Sequence, residues 1–172
     1  MGVGIPIRNI PQSVLDEVVL GLQHFLVPLF FLRPQNSEPQ VRFIGSGTLV
    51  EIQGTHHITG RLWRSQVEWF AHAPLAIKAR LAPEIVADLK ANRRPANMKP
   101  DEAAVYDFVM ELSTKHQVSD ETFDQAKQLL GEQQVVDLTA VTGTYVTIAM
   151  LLAMAEEGVP PGKEPPFKVG EP

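Results

Sequence analysis

Residues 62–81, LWRSQVEWFAHAPLAIKARL, decide the fold class. Leu62, Val67, Phe70, Leu75, Ile77 and Leu81 return at spacings that fit the 3.6-residue turn of an α-helix, not the two-residue alternation of a strand. Pro74 falls inside the run and is expected to kink or restart the helix, because it has no amide hydrogen and crowds the preceding turn.

The helical signal continues toward the C-terminus. In residues 82–95, APEIVADLKANRRP, Pro83 occupies a first-turn position with Glu84 beside it, and Arg93 and Arg94 precede the stop at Pro95. Charges of that order suit a short helix with its dipole matched at both ends. Pro100 and Asp101 open a further helix over residues 101–116, where Ala104, Phe108 and Leu112 repeat every fourth residue with Val105 and Val109 alongside, a core-facing stripe. Ser119 is the expected N-cap of a helix over residues 120–130, and Gly131 stands where a helix end needs a positive φ. The last helix is expected from about Glu132 to Glu157. Its apolar residues wrap most of the circumference, so it is either central to the fold or covered by a partner subunit. Asp137 and the threonines in this run favour a buried helix of a soluble protein over a membrane span.

Prolines concentrate at the two ends of the chain. The tail, GVPPGKEPPFKVGEP, reads as an extended arm on a surface or on a neighbouring subunit. At the other end, residues 12–30 suggest an amphipathic helix broken at Pro28, and residues 41–54, VRFIGSGTLVEIQG, suggest a hairpin or an irregular loop. The apolar stretch Leu20 to Leu32 is too short to span a bilayer.

Composition removes several classes of function. With 172 residues and 44% of them apolar, a sizeable core is available, and 15 basic against 20 acidic residues give a net charge of −5. That balance offers no excess of cations for nucleic acid or an anionic membrane. Cysteine is absent, which excludes disulfide frameworks, thiolate metal sites and thiol nucleophiles. The opening MGVGIPIRNIPQSVLDE has no basic region followed by an apolar run, so a cytoplasmic location is expected.

Among the polar residues, Glu68 and His72 stand four apart and therefore on one helix face. A carboxylate beside an imidazole fixes its tautomer and raises its pKa, which makes a proton-transfer unit; the alternative is a solvent-facing ion pair of the ordinary i,i+4 kind. Trp69 is either a packing residue or a contact for substrate. His56 and His57 could join His72 in a metal site, but neighbours on regular structure point apart and no metalloprotease motif is present, so no metal is expected and a flexible pair is the alternative. His24 and His116 are isolated, and Gly45, Ser46 and Gly47 lack the lysine and spacing of a phosphate loop. Arg93 and Arg94 either cap a helix or hold a carboxylate substrate.

Three blocks in fixed order carry a further reading: WRSQVEWFAH at 63–72, RRP at 93–95 followed by DEAAVYDF at 101–108, and VVDL at 135–138 leading to GTYVTIAM at 143–150. Over roughly Thr59 to Gly162 the chain resembles the carboxymuconolactone decarboxylase-like family. The resemblance implies an all-α helical bundle at 59–158, preceded by a diverged, partly irregular segment at 1–58 and followed by a Pro-rich arm at 159–172. It implies trimers or hexamers, and loss of CO₂ from a carboxylated γ-lactone of aromatic catabolism without metal or organic cofactor. The family histidine falls on His72, which Glu68 would tune as the acid that protonates carbon, and Arg61 would bind a substrate carboxylate. Family members also carry a glutamate about five helical turns before the histidine; counting back reaches Gln53, with Glu51 two residues away as the candidate in its place. The related alkyl hydroperoxidase D-like branch has a Cys-x-x-Cys pair where this chain carries Ser65 and Glu68, so thiol peroxidase chemistry is excluded. The expectation is a cofactor-independent lyase acting on a small carboxylate or lactone; the alternative is an oligomeric binding or scaffold protein that keeps the helices without the site.

Overall fold

The computed structural model describes residues 48–167, with side chains from residue 54. Six α-helices follow one another, with no strand among the described residues: α1 (Thr48–Leu62), α2 (Gln66–Lys78), α3 (Pro83–Lys90), α4 (Pro100–Lys115), α5 (Asp120–Leu130) and α6 (Glu132–Met154). The described chain is all-α, as its periodicity predicts. The helix expected over 12–30, the Leu20 to Leu32 run, His24, residues Gly45, Ser46 and Gly47, and the side chain of Glu51 lie outside the described residues.

Local chemistry sets most of the boundaries. Pro83 and Pro100 open α3 and α4, where a missing amide hydrogen costs nothing. The backbone amide of Lys99 donates to the Glu102 carboxylate at 2.9 Å, and the Ser119 hydroxyl accepts from the Thr122 amide at the start of α5. Gly131, at φ 88°, ends α5 and opens α6.

Three expectations are corrected. Residues 48–54 are not a hairpin or loop but the first turns of α1. α1 is in fact the hub of the fold, packing against α2, α3, α4 and α6. Its composition of glycine, threonine and histidine is poor for an isolated helix, and burial on several sides holds it together. Thr59 makes this possible by donating its hydroxyl to the Thr55 carbonyl at 2.9 Å, so a polar side chain is buried with its hydrogen bond satisfied.

Pro74 does not interrupt α2, which runs unbroken from Gln66 to Lys78. Phe70 and Pro74 both lie on the exposed side, where water can replace the lost donor. The stop instead precedes α2, where Arg64 adopts a left-handed φ of 53° and the Ser65 amide donates to the Gly60 carbonyl at 2.8 Å.

Packing among the described residues buries α6 only in part, at Val135, Leu138, Thr142, Ile148 and Ala149, and not all round as a central helix would be. The helix is long and apolar enough to cross a membrane by length and composition, and the described residues leave part of it uncovered: Val136 is 63% exposed and Met150 52%. Its threonines return their hydroxyls to carbonyls one turn earlier, Thr142 to Leu138 at 2.7 Å and Thr144 to Ala140 at 2.8 Å. The core lies where Ile58, Trp69, Leu81, Ile85, Leu89, Val105, Phe108 and Val109 meet between α1, α2, α3 and α4, with Val135 and Leu138 of α6 joining it. The arm returns to this core: Phe167 is buried at the corner where α1 gives way to α2.

Candidate active site

α1, α2 and α6 bring four titratable side chains together. The rings of His56 on α1 and His72 on α2 have centroids 4.3 Å apart, and Tyr145 on α6 stands edge-on to both, at 3.4 Å from His56 and 5.7 Å from His72. Glu68 lies one turn before His72 and against α1, its Cβ 3.7 Å from where a side chain on Gly60 would begin. His56 and Glu68 are each only 4% exposed. Burial is therefore the dominant fact about the site.

The second dominant fact is how few of its polar atoms are satisfied. Both ring nitrogens of His56, both carboxyl oxygens of Glu68, Nδ1 of His72 and the Ser65 hydroxyl are buried without a hydrogen-bond partner. Each such group costs about 1–3 kcal/mol relative to a paired one. A cluster of them is not a device for stability; it is the kind of surface a polar ligand can satisfy.

Protonation follows from the burial. Desolvation pushes the Glu68 carboxyl up to about 7, with the Ser65 hydroxyl acting the other way although its alignment falls short of a hydrogen bond. Desolvation lowers His72, and lowers His56 to about 2, with the neighbouring His72 and His57 adding to the second shift. Burial, then the charge of Glu68, raises Tyr145 to about 12. At neutral pH the site thus holds two neutral imidazoles, a neutral phenol and a carboxyl close to half protonated.

The expected Glu68–His72 unit is corrected in one respect. The two residues share a face as predicted, but that face is turned into the protein, no hydrogen bond joins them, and the imidazole is made less basic rather than more. The stronger candidate for a proton donor at neutral pH is Glu68.

His56 and His57 are not a flexible pair. They are buried on adjacent faces of α1, His56 toward His72 and Tyr145, His57 edge-on to the Trp69 ring at 4.7 Å. Among the described residues, no group of three histidine, aspartate or glutamate side chains is placed to hold a metal ion. Trp69, at 4% exposure, packs between His57 and Phe167. Arg61 donates through Nε to the Lys90 carbonyl at 3.0 Å and lies over the Phe167 ring, and neither partner belongs to the imidazole cluster. Arg93 and Arg94 pair with Asp88 and Asp107 at 2.6 and 2.7 Å, so their guanidinium groups meet carboxylates and not the carbonyls at the end of α3, which corrects the capping reading.

Sequence reasoning brought His56 to His72 only as a candidate metal ligand and missed Tyr145 altogether. A signal for Tyr145 exists: it is the one aromatic residue with a hydroxyl in the apolar helix from Val135 to Met154. On the other side of α1, a recess lined by Gly54, Ile58, Leu81, Ile85, Leu89, Met98 and Val105 is apolar apart from Glu102 and Tyr106. It has shape without convergent proton-transfer groups, so the chemistry belongs to the imidazole cluster. Comparison with protein-family models, curated proteins and solved structures finds no match for the chain.

Proposed function

We propose that the chain is a cofactor-independent acid–base enzyme of the carboxymuconolactone decarboxylase type, releasing CO₂ from a small carboxylated lactone in the cytoplasm. The observation that carries this reading is the buried, unpaired carboxyl of Glu68 among two neutral imidazoles and a tyrosine. The similarity of WRSQVEWFAH and GTYVTIAM to the family blocks supports the choice of reaction.

The chemistry asks for three things. When the bond between the lactone carbon and the carboxylate breaks, its electron pair passes into a dienolate, and donors must meet the oxygen on which charge develops. The Tyr145 hydroxyl, held protonated, and a neutral imidazole at His72 are such donors. A proton must then reach carbon, and Glu68, poised near neutrality, supplies it. A water-poor site also favours the first step, because the carboxylate charge spreads as CO₂ departs. Acid–base groups suffice for every step, so the reading invokes no metal or organic cofactor.

The uncovered apolar side of α6 supports a homo-oligomer, a trimer or a hexamer, formed through that helix. The test of function is CO₂ release from γ-carboxymuconolactone and related lactones by the purified protein, with His72→Ala and Glu68→Gln beside it. Turnover by the native protein that drops by about 10²-fold or more in each variant is the expected result. Equal turnover in all three refutes the assignment.

A further inference from the structure

Phe167 is held at the α1–α2 corner by two different kinds of contact. The Gln66 side chain pairs with the Phe167 backbone in both directions: Nε2 donates to the carbonyl at 2.9 Å, and Oε1 accepts from the amide at 3.0 Å. The Phe167 ring stands edge-on to Trp69 at 5.2 Å, and the Arg61 guanidinium lies 5.2 Å above it. A side-chain amide that reads a peptide backbone on both its donor and its acceptor, beside a pocket that takes an aromatic ring, is how a protein recognises a short extended peptide.

The chain that reaches this seat is suited to it. Pro165 and Pro166 precede Phe167 and pre-set an extended backbone, so little freedom is lost on docking. Gly162, at φ 79°, and the Lys163 amide bonded to the Pro160 carbonyl at 3.0 Å turn the chain toward the corner. Glu164, Pro165 and Gly162 are themselves exposed, so among the described residues the arm is held at Phe167 and not along 162–165.

We propose that Arg61, Gln66 and Trp69 form a docking seat for a Pro-Pro-Phe peptide, and that the chain's own arm is its displaceable occupant. The arm is a latch. Trp69 lies between Phe167 and His57 and directly follows Glu68, so the seat is one side chain away from the buried cluster on α1 and α2. The inference stands on the contacts of the corner and is independent of the proposed reaction.

The experiment uses the full chain carrying Trp63→Phe, which leaves Trp69 as its one tryptophan. Acrylamide quenching of Trp69 is compared with and without Phe167→Ala, and with added peptides GKEPPFK and GKEPPAK. Phe167→Ala is expected to raise the quenching constant several-fold. GKEPPFK at millimolar concentration, the range of an intramolecular tether, is expected to return it to the starting value along a saturating curve, while GKEPPAK leaves it unchanged. Quenching that ignores Phe167→Ala, or that rises and is not reversed by GKEPPFK, overturns the proposal. If Phe167→Ala loses its helical circular dichroism, Gln66→Ala decides instead. It keeps the aromatic contacts, and it is expected to speed tryptic cleavage after Lys163 in the folded chain; an unchanged cleavage rate overturns the latch.

Discussion

Glu68→Gln should stabilise the protein, and by an amount that depends on pH. The buried carboxyl titrates at about 7 in the folded chain against 4.5 when solvated. Below pH 4.5 both states carry the proton and the group contributes no pH dependence. Between 4.5 and 7 the unfolded chain gives up its proton while the folded chain keeps it, so folding loses stability as the pH rises, and above 7 the loss is complete. A displacement of that size corresponds to about 3 kcal/mol at 1.36 kcal/mol per pH unit. Glutamine fills the same volume, cannot ionise, and is free of this penalty. Urea unfolding of native protein and Glu68→Gln at pH 5 and pH 8 measures the effect. The stabilisation should be roughly 2.5 kcal/mol larger at pH 8 than at pH 5. His56 and His72 titrate in both proteins and cancel from the difference, so the comparison isolates one carboxyl. A stabilisation equal at the two pH values would refute the reasoning, because it would mean that Glu68 is as well solvated folded as unfolded. A gain in stability together with a loss of turnover would mark Glu68 as a residue kept for chemistry at the expense of the fold.

Trp69→Ala should destabilise by about 3–5 kcal/mol in urea unfolding, since an almost fully buried indole is replaced by a cavity between His57 and Phe167. Arg94→Ala should cost under about 1 kcal/mol by the same assay, because its two hydrogen bonds to Asp107 are made at a largely exposed surface. Gly131→Ala should cost about 1–2 kcal/mol, all of it backbone strain, since a methyl group there meets nothing within 4 Å while φ stays at 88°. A thermal scan of Gly131→Ala against Gly131→Asn checks the cause: with ψ at 158° the backbone lies outside the left-handed helical region that asparagine tolerates, so asparagine should lose about as much as alanine.

The parts of the fold that could be read from sequence are those whose causes are local. Pro83, Pro100, Ser119 and Gly131 act on their own turns, and the starts of α3, α4 and α5 and the end of α5 fall where they predict, whereas α3 ends at Lys90, short of the stop read at Pro95. α1 could not be read that way. Its helix is imposed by neighbours on several sides, and its glycines, threonines and histidines locally favour other conformations. Because His56 sits on α1, the error about the helix became an error about the site. The Glu68–His72 pair shows the same division on a smaller scale. Spacing fixes that the two share a face, which is geometry internal to α2; whether the face meets water or α1 is decided by packing, and that reverses the direction of the imidazole shift. Tyr145 is separated from His72 by more than seventy residues, and only the approach of α6 to α1 brings them together.

α6 connects the site to the proposed assembly. Val136, Gly143, Thr147, Met150 and Met154 are among its exposed residues, at spacings of seven, four, three and four, which at 100° per residue puts them on one stripe. Tyr145 follows Val136 by nine residues and so projects from the opposite side, inward to His56 and His72. A second copy seated on the stripe would therefore cover apolar surface without lining the site. Its influence on the chemistry would run through the helix itself: rotating α6 to pack its outer stripe turns Tyr145 by the same angle on the inner side. The phenol is the only one of the four titratable groups carried by α6, so assembly would set the placement of the hydroxyl proposed to meet the developing oxyanion and leave the Glu68 carboxyl, on α2 against α1, where it is.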